Sequence, residues 1–263
     1  MSLRADAASL DRTPPGWLRV GAPVLVGLAG LALWSAYVAS GSAPRMLPSP
    51  AAIAEEFVLR WPIISEDMAI TATNALIGLV VGTILGIALA GLAASLRPVD
   101  GMLAPVVAAI AVVPIVAVTP ILNTMFGASS QFGRQAVAAI AAFIPVFVNV
   151  LRGLRQTRPV HRDLLRAYAA TGGQTFRKLT LPTAVPYLMT GLRIAASLAV
   201  ISALVAEYFG GPADGVGTAI ATYAKSGRAA LAWAYVCGGI LIGLVFFLAT
   251  SLLERLVSRR PPA

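Results

Sequence analysis

Apolar residues run along this chain in long blocks, without the alternation of a half-buried strand or the single stripe of a soluble amphipathic helix. Six blocks stand out, near 20–40, 71–96, 102–126, 135–154, 184–209 and 230–257. Each approaches or exceeds the roughly 20 apolar residues that a helix needs to cross a hydrocarbon core about 30 Å thick. The pattern predicts an all-α, polytopic membrane protein with about six transmembrane helices and the lipid bilayer as its solvent. Residues 1–19 form a polar lead, 20–258 the membrane domain and 259–263 a short tail. The first block has a basic flank like a signal peptide, but it is longer than a signal core and more spans follow, so it is read as an uncleaved helix. Between the first two blocks, Pro44, Pro48 and Pro50 with the acids Glu55, Glu56, Glu66 and Asp67 predict an outside loop holding an interfacial helix from Pro50 to Arg60.

Several residues inside the blocks carry more than hydrophobicity. Gly78, Gly82, Gly86 and Gly91 fall near one helical face, where missing side chains admit a neighbouring helix. The third block holds Pro105, Pro114 and Pro120, whose freed carbonyls need partners other than lipid. It is read as a kinked helix among others or beside a watery path, and Pro114, Pro120 and Asn123 make it the candidate translocation path. Glu207 is an acid embedded near the end of the fifth block, where an ionisable group is expensive. It either has a functional role on the path, or pairs with Arg193, or snorkels to the outer surface. Arg193 lies about 21 Å away along a helix axis, which disfavours direct pairing. Asn74, Asn123 and Asn149 line a path or, the favoured reading, bond neighbouring helices.

Composition agrees with a bilayer: 58% of residues are hydrophobic and 12% charged, and the mean hydropathy is +0.82. The net charge of +9 sits in short connections between apolar blocks, which argues for topology and against a nucleic-acid partner. With six spans, fourteen of the 20 Lys and Arg residues share a side with both termini and five lie opposite, leaving Arg193 within a span. Basic residues accumulate on the inside, so both termini are expected in the cytoplasm. Cys237 is the only cysteine and His161 the only histidine, so neither a disulfide nor a metal site is expected.

The longest inside connection, 155–182, is unlike a simple loop. Leu164, Leu165 and Tyr168 share an apolar side next to Arg162 and Arg166 in a helix from His161 to Ala170. Gly172-Gly173 breaks it, and Gln174 to Leu181 forms a second short piece ending at Pro182. Such a hairpin suits either docking of a soluble partner or rest on anionic lipid.

The residues from Asp163 through Arg166-Ala-Tyr-Ala-Ala-Thr-Gly-Gly173 to Leu181-Pro182 resemble the EAA loop of binding-protein-dependent ABC transporter permeases. Aligned backwards from Leu181-Pro182, Asp163 stands at the acidic position of that loop and Ala169 at its usual glycine, so the bend falls to Ala169 or to Gly172-Gly173. The resemblance extends from Leu47 to the end of the sixth span. Leu47-Pro-Ser-Pro50, Val113-Pro-Ile-Val-Ala-Val-Thr-Pro120, Pro182-Thr-Ala-Val-Pro186, and Ala206-Glu-Tyr-Phe-Gly210 with Gly215-Val-Gly217 are similar to the sulfonate, nitrate, taurine and thiamine-precursor branch.

The resemblance implies a type I importer fold and places Asp163, Leu165, Arg166, Tyr168, Ala169, Gly172, Gly173 and Pro182 on the surface that couples to an ATPase. It further implies a second permease copy or paralogue, an ATPase dimer that binds ATP and magnesium, and an extracytoplasmic binding protein that delivers a small polar solute across the inner membrane. A thiamine-precursor pyrimidine or related heterocycle is the nearest substrate class, with sulfonates and nitrate next. The chain has no Gly-x-x-x-x-Gly-Lys-Ser/Thr sequence, so no bound cofactor and no ATP hydrolysis are expected of it. A self-contained secondary transporter or channel is the main rival, although charged relays and repeated broken helices are sparse. A membrane enzyme is disfavoured by the lack of a catalytic constellation.

Overall fold

A computed structural model describes residues 16–127 and 129–258; of the lead expected at 1–19, residues 1–15 lie outside the described residues, as does the tail at 259–263, and residues 16–19 belong to the first helix. Every regular element among the described residues is helical: α1 (Gly16–Ala39), α2 (Pro50–Leu59), α3 (Trp61–Ser95), α4 (Arg97–Val112), α5 (Ile115–Phe126), α6 (Phe132–Arg155), α7 (Pro159–Ala167), α8 (Gly172–Thr175), α9 (Leu181–Tyr208), α10 (Val216–Lys225) and α11 (Ala229–Ser258). A π-helical turn, Phe176–Thr180, joins α8 to α9, so that residues 172–208 run as one long span. Five helices are long and apolar enough to cross a membrane, and the bent pair α4–α5 reaches that length and apolarity only when its two halves are taken together.

The third block is the main departure from expectation. The kinked helix read over 102–126 is two helices bent by 101°. Pro114 lacks an N–H, and its ring forces Val113 into extended backbone at φ −67°, ψ 124°. At 16 and 12 residues, the two halves reach only about 24 and 18 Å, so neither crosses alone.

α6 is the centre of the bundle, with α3 on one side and α9 on the other. Glycine makes the α3 contact close: a Cβ on Gly86 would sit 2.9 Å from Val146 Cγ1, and Gly78 and Gly82 meet the α6 backbone near Ala138 and Ala142 in the same way. Gly91 does not join them and faces open space. It follows Gly86 by five residues, a rotation of about 140° from the contact line. On the other side of α6, Gly153 packs against Ala184 and Tyr187, and Gly191 against Pro145 and Asn149. The core built this way is rich in alanine, with Ala75, Ala138, Ala142, Ala195, Ala199 and Ala203 fully buried. Small side chains bring helix backbones together where lipid offers no hydrophobic drive for association.

The first span stands apart. No described side chain of α1 is buried, and it meets the bundle near its C-terminal end, where Trp34 packs edge-on to Trp233 at 5.8 Å. Trp233 Nε1 also donates to the Met46 carbonyl at 2.9 Å, fixing the connection to α2. The Ser49 side chain caps α2 by accepting from the Ala52 N–H at 3.2 Å, with Pro50 at the first helical position.

Candidate functional site

Two groups of functional candidates lie at opposite ends of the bundle. At one end, α6 closes at Arg155 and the chain enters α7 through an extended Arg158 and Pro159. None of α7 is buried. Val160, Leu164 and Tyr168 follow one another at four-residue spacing and are 73%, 55% and 78% exposed. They form one apolar stripe. Exposed Arg158, Arg162 and Arg166 lie on the opposite face of the helix, and Asp163 and Arg166 pair across one turn at 3.3 Å. Leu165 is half-buried, about 100° round the helix from Leu164.

The bend is made by Ala169 itself. Its φ of +53° is the one left-handed backbone among described residues other than glycine. The Ala170 N–H reaches the Leu165 carbonyl and the Ala169 N–H reaches that of Arg166, both at 2.9 Å. These are the two bonds of a Schellman cap, which usually carries glycine at this position. The expectation that Gly172-Gly173 could supply the bend is corrected: they open α8 behind a capping box in which Thr171 and Gln174 satisfy each other's backbone N–H groups. The second piece also does not stop at Pro182. Pro182 has no N–H to return to the Lys178 carbonyl, and the chain absorbs the mismatch as a π turn in which the Leu181 N–H bonds to Phe176. The loop is therefore joined to α9 by continuous helix.

At the opposite end, the path candidates divide. Pro114 and Pro120 are exposed on the broken pair, and the Pro120 carbonyl accepts from Thr124 at 2.8 Å. Asn123 and Glu207 are buried and converge on Gly210, whose N–H bonds the Glu207 carbonyl and which lies beside the Asn123 amide. The Asn123 amide has no hydrogen-bond partner among the described residues.

Glu207 neither pairs with Arg193 nor snorkels, which corrects both structural readings of it. Arg193 pairs with Glu254 at 3.0 Å. Glu207 is 1% exposed and turns inward, where Oε2 accepts from Thr71 Oγ1 at 2.8 Å and from the Gly217 N–H at 2.9 Å. Gly215 fits closely beside it: its φ is +84°, and a Cβ there would lie 2.7 Å from the carboxyl carbon. Asp67 completes the grip on this loop, accepting from the Gly215 N–H at 2.8 Å and from the Tyr235 hydroxyl at 2.9 Å.

Arg134, which sequence position places at the edge of a short connection, is fully buried. Its guanidinium donates to Asp214 at 2.6 Å, to Gln131 at 3.1 Å, to Thr218 at 3.0 Å and to the Pro212 carbonyl. Gln131 passes the chain of bonds on to Asn74 at 2.9 Å. Asn74 also accepts from Gln135, so it bonds neighbouring helices, whereas Asn149 returns to the Pro145 carbonyl of its own helix. Loop 209–215 is thus tied to α3, α6 and α9 by Asp67, Arg134 and Glu207. The sequence signals for this were the Gly210, Gly215 and Gly217 cluster after a buried acid.

Residues 57–261 match the family described as the binding-protein-dependent transport system inner membrane component. The chain belongs to this family. Among curated relatives, the formylaminopyrimidine transport permease protein ThiX of Halalkalibacterium halodurans is 35% identical over 72% of this chain and 75% of its own length. The riboflavin transport system permease protein RibX of Chloroflexus aurantiacus is 31% identical over 92% and 91%. Among solved structures, an amino acid ABC transporter chain superposes with a TM-score of 0.61 at 18% identity, over 75% of this chain and 95% of that one. As a binding-protein-dependent inner membrane component, this chain is a multi-pass membrane permease of the importer branch expected from its motifs. The family match begins after α1, the helix that stands apart from the packed bundle, and most of α2.

Proposed function

We propose that this permease subunit couples ATP use by a separate ATPase dimer to import of a small polar solute, with a nitrogen heterocycle as the first substrate class to test. The observation that carries the coupling is the unpartnered stripe of Val160, Leu164 and Tyr168 on α7. A nine-residue helix with no buried residue is too short to be stable by itself and gains its stability from whatever it docks against. The excess of basic residues at this end supports a cytoplasmic side for it. ATP and magnesium bind the ATPase, not this chain.

The mechanism follows from stiffness. Movement of α7 passes through the Ala169 cap and the π turn into α9, which runs to Glu207 at the far end. There the Glu207, Asp67 and Arg134 ties make loop 209–215 move with the spans. Displacing α7 therefore rocks the bundle as a lever, alternately opening a path beside the broken pair α4–α5. A second permease copy or paralogue supplies the other wall, and an extracytoplasmic binding protein delivers the solute. The heterocycle assignment rests on relatives named for formylaminopyrimidine and riboflavin transport.

In the reconstituted transporter, Asp163→Arg and Ala169→Trp are expected to abolish uptake while the ATPase subunits still hydrolyse ATP. Full uptake by both variants would refute docking through α7. Thermal-shift screening of the cognate binding protein against pyrimidines, flavins, sulfonates and nitrate tests the substrate class, and stabilisation by sulfonates or nitrate alone would overturn it.

A further inference from the structure

A cleft of about 510 Å³ opens between the ends of α3 and α6, the start of α9 and the α7 hairpin. Its polar lining, Ser95, Arg162 and Thr180, belongs to the α7 end of the bundle. Its deepest residues are apolar: Ile87 lies eight residues before Ser95 on α3, and Leu188 eight residues after Thr180 along α9. Eight residues of helix rise about 12 Å, so the cleft runs from the membrane surface into the hydrocarbon region. Gly91 widens it: a Cβ there meets nothing within 4 Å.

We infer that this cleft binds an anionic phospholipid, with an acyl chain along Ile87, Gly91 and Leu188 and its headgroup phosphate on Arg162. An open apolar cleft at this depth is filled by lipid, because neither water nor vacuum is a stable occupant. The charge of the headgroup follows from Arg162, the one ionisable residue lining the cleft, which is exposed and has no carboxylate partner among the described residues. Asp163 next to it is already engaged by Arg166. Exposed Arg97, Arg158, Arg177 and Lys178 lie on the same end, so negative lipid is enriched there. Phe176 and Thr180 of the π turn also line the cleft, so its occupant rests against the joint between α7 and α9. A lipid seated there stiffens that joint.

Native mass spectrometry of the purified transporter complex, titrated with dioleoyl phosphatidylglycerol or dioleoyl phosphatidylcholine, tests the site. The expected preference for the anionic lipid is about fivefold or more, equivalent to about 1 kcal/mol. Gly91→Phe and Ala88→Phe each fill the cleft and abolish binding of both lipids. Arg162→Ala keeps binding but brings the anionic lipid down to the level of the zwitterionic one. Two independent filling variants guard against one that fails to fold, and each is checked for a monodisperse elution profile. Equal affinity for the two lipids, retention of binding in a folded filling variant, or an unchanged preference in Arg162→Ala would overturn the assignment. Displacement of the bound lipid by inorganic phosphate would do so as well, by making this a phosphate site.

Discussion

The Ala170 N–H bonds the Leu165 carbonyl at 2.9 Å across Ala169, so a β-carbon is carried where the helix cap calls for left-handed backbone. Left-handed backbone costs an L-residue about 1–2 kcal/mol. Ala169→Gly is therefore expected to stabilise the hairpin by about 1 kcal/mol. Hydrogen exchange of residues 159–175 checks this: protection should rise, and a fall in protection would mean that the cap forms in some other way.

Removing the carboxyl group at Glu207 leaves the buried Gly217 N–H without its acceptor and takes one acceptor from the Thr71 hydroxyl, which keeps the Asp67 carbonyl at 3.1 Å. A buried donor left without an acceptor costs about 1–3 kcal/mol, so Glu207→Ala should lower the melting temperature in detergent. Glu207→Gln keeps an acceptor oxygen and should recover part of the loss. Equal melting temperatures for the wild type and Glu207→Ala would contradict the inward geometry.

Gly215 tests the same loop from the backbone side. A methyl group there would meet the Glu207 carboxyl and would also have to adopt a φ of +84°. Gly215→Ala should lower stability at least as much as Glu207→Ala, and the two losses should not add, because both release the same contact. Additive losses in the double variant would separate the two residues.

Breaking a buried ion pair from one side costs about 3–5 kcal/mol, with less expected when one partner touches water. Asp214 does: its side chain is 36% exposed, whereas that of Arg134 is fully covered. Arg134→Met removes the buried charge and Asp214→Ala strands it, so the second should be the more damaging in a thermal-shift assay. The reverse order would show that Asp214, not Arg134, is the group that needs compensation.

Hydropathy alone reaches the helical class and five of the spans, because a membrane crossing needs little beyond length and apolar character. The resemblance to the EAA loop points to the α7 segment but leaves its bend ambiguous. Ala169 is invisible as a turn residue by propensity, since left-handed alanine is disfavoured and only the closing bonds from Ala169 and Ala170 reveal it. The right-angle break at Val113 and Pro114 is likewise out of reach, because a proline in a span yields a kink or a corner according to what packs around it. Arg134 shows the limit most clearly. By position it belongs to a short connection, yet its carboxylate partner lies 80 residues further on. Gly78, Gly82 and Gly86 were readable because one helix supplies all three, whereas Gly91 was misplaced by a single residue of phase.

Docking of α7 onto an ATPase is the central claim, and a photo-crosslinker at Tyr168 reads it directly. With p-benzoylphenylalanine in place of Tyr168 in the assembled transporter, irradiation should give an adduct to the ATPase subunit. The same probe at Phe132, exposed at the opposite end of the bundle, should give none. Adducts from position 168 to lipid alone, with the ATPase present and active, would contradict the account.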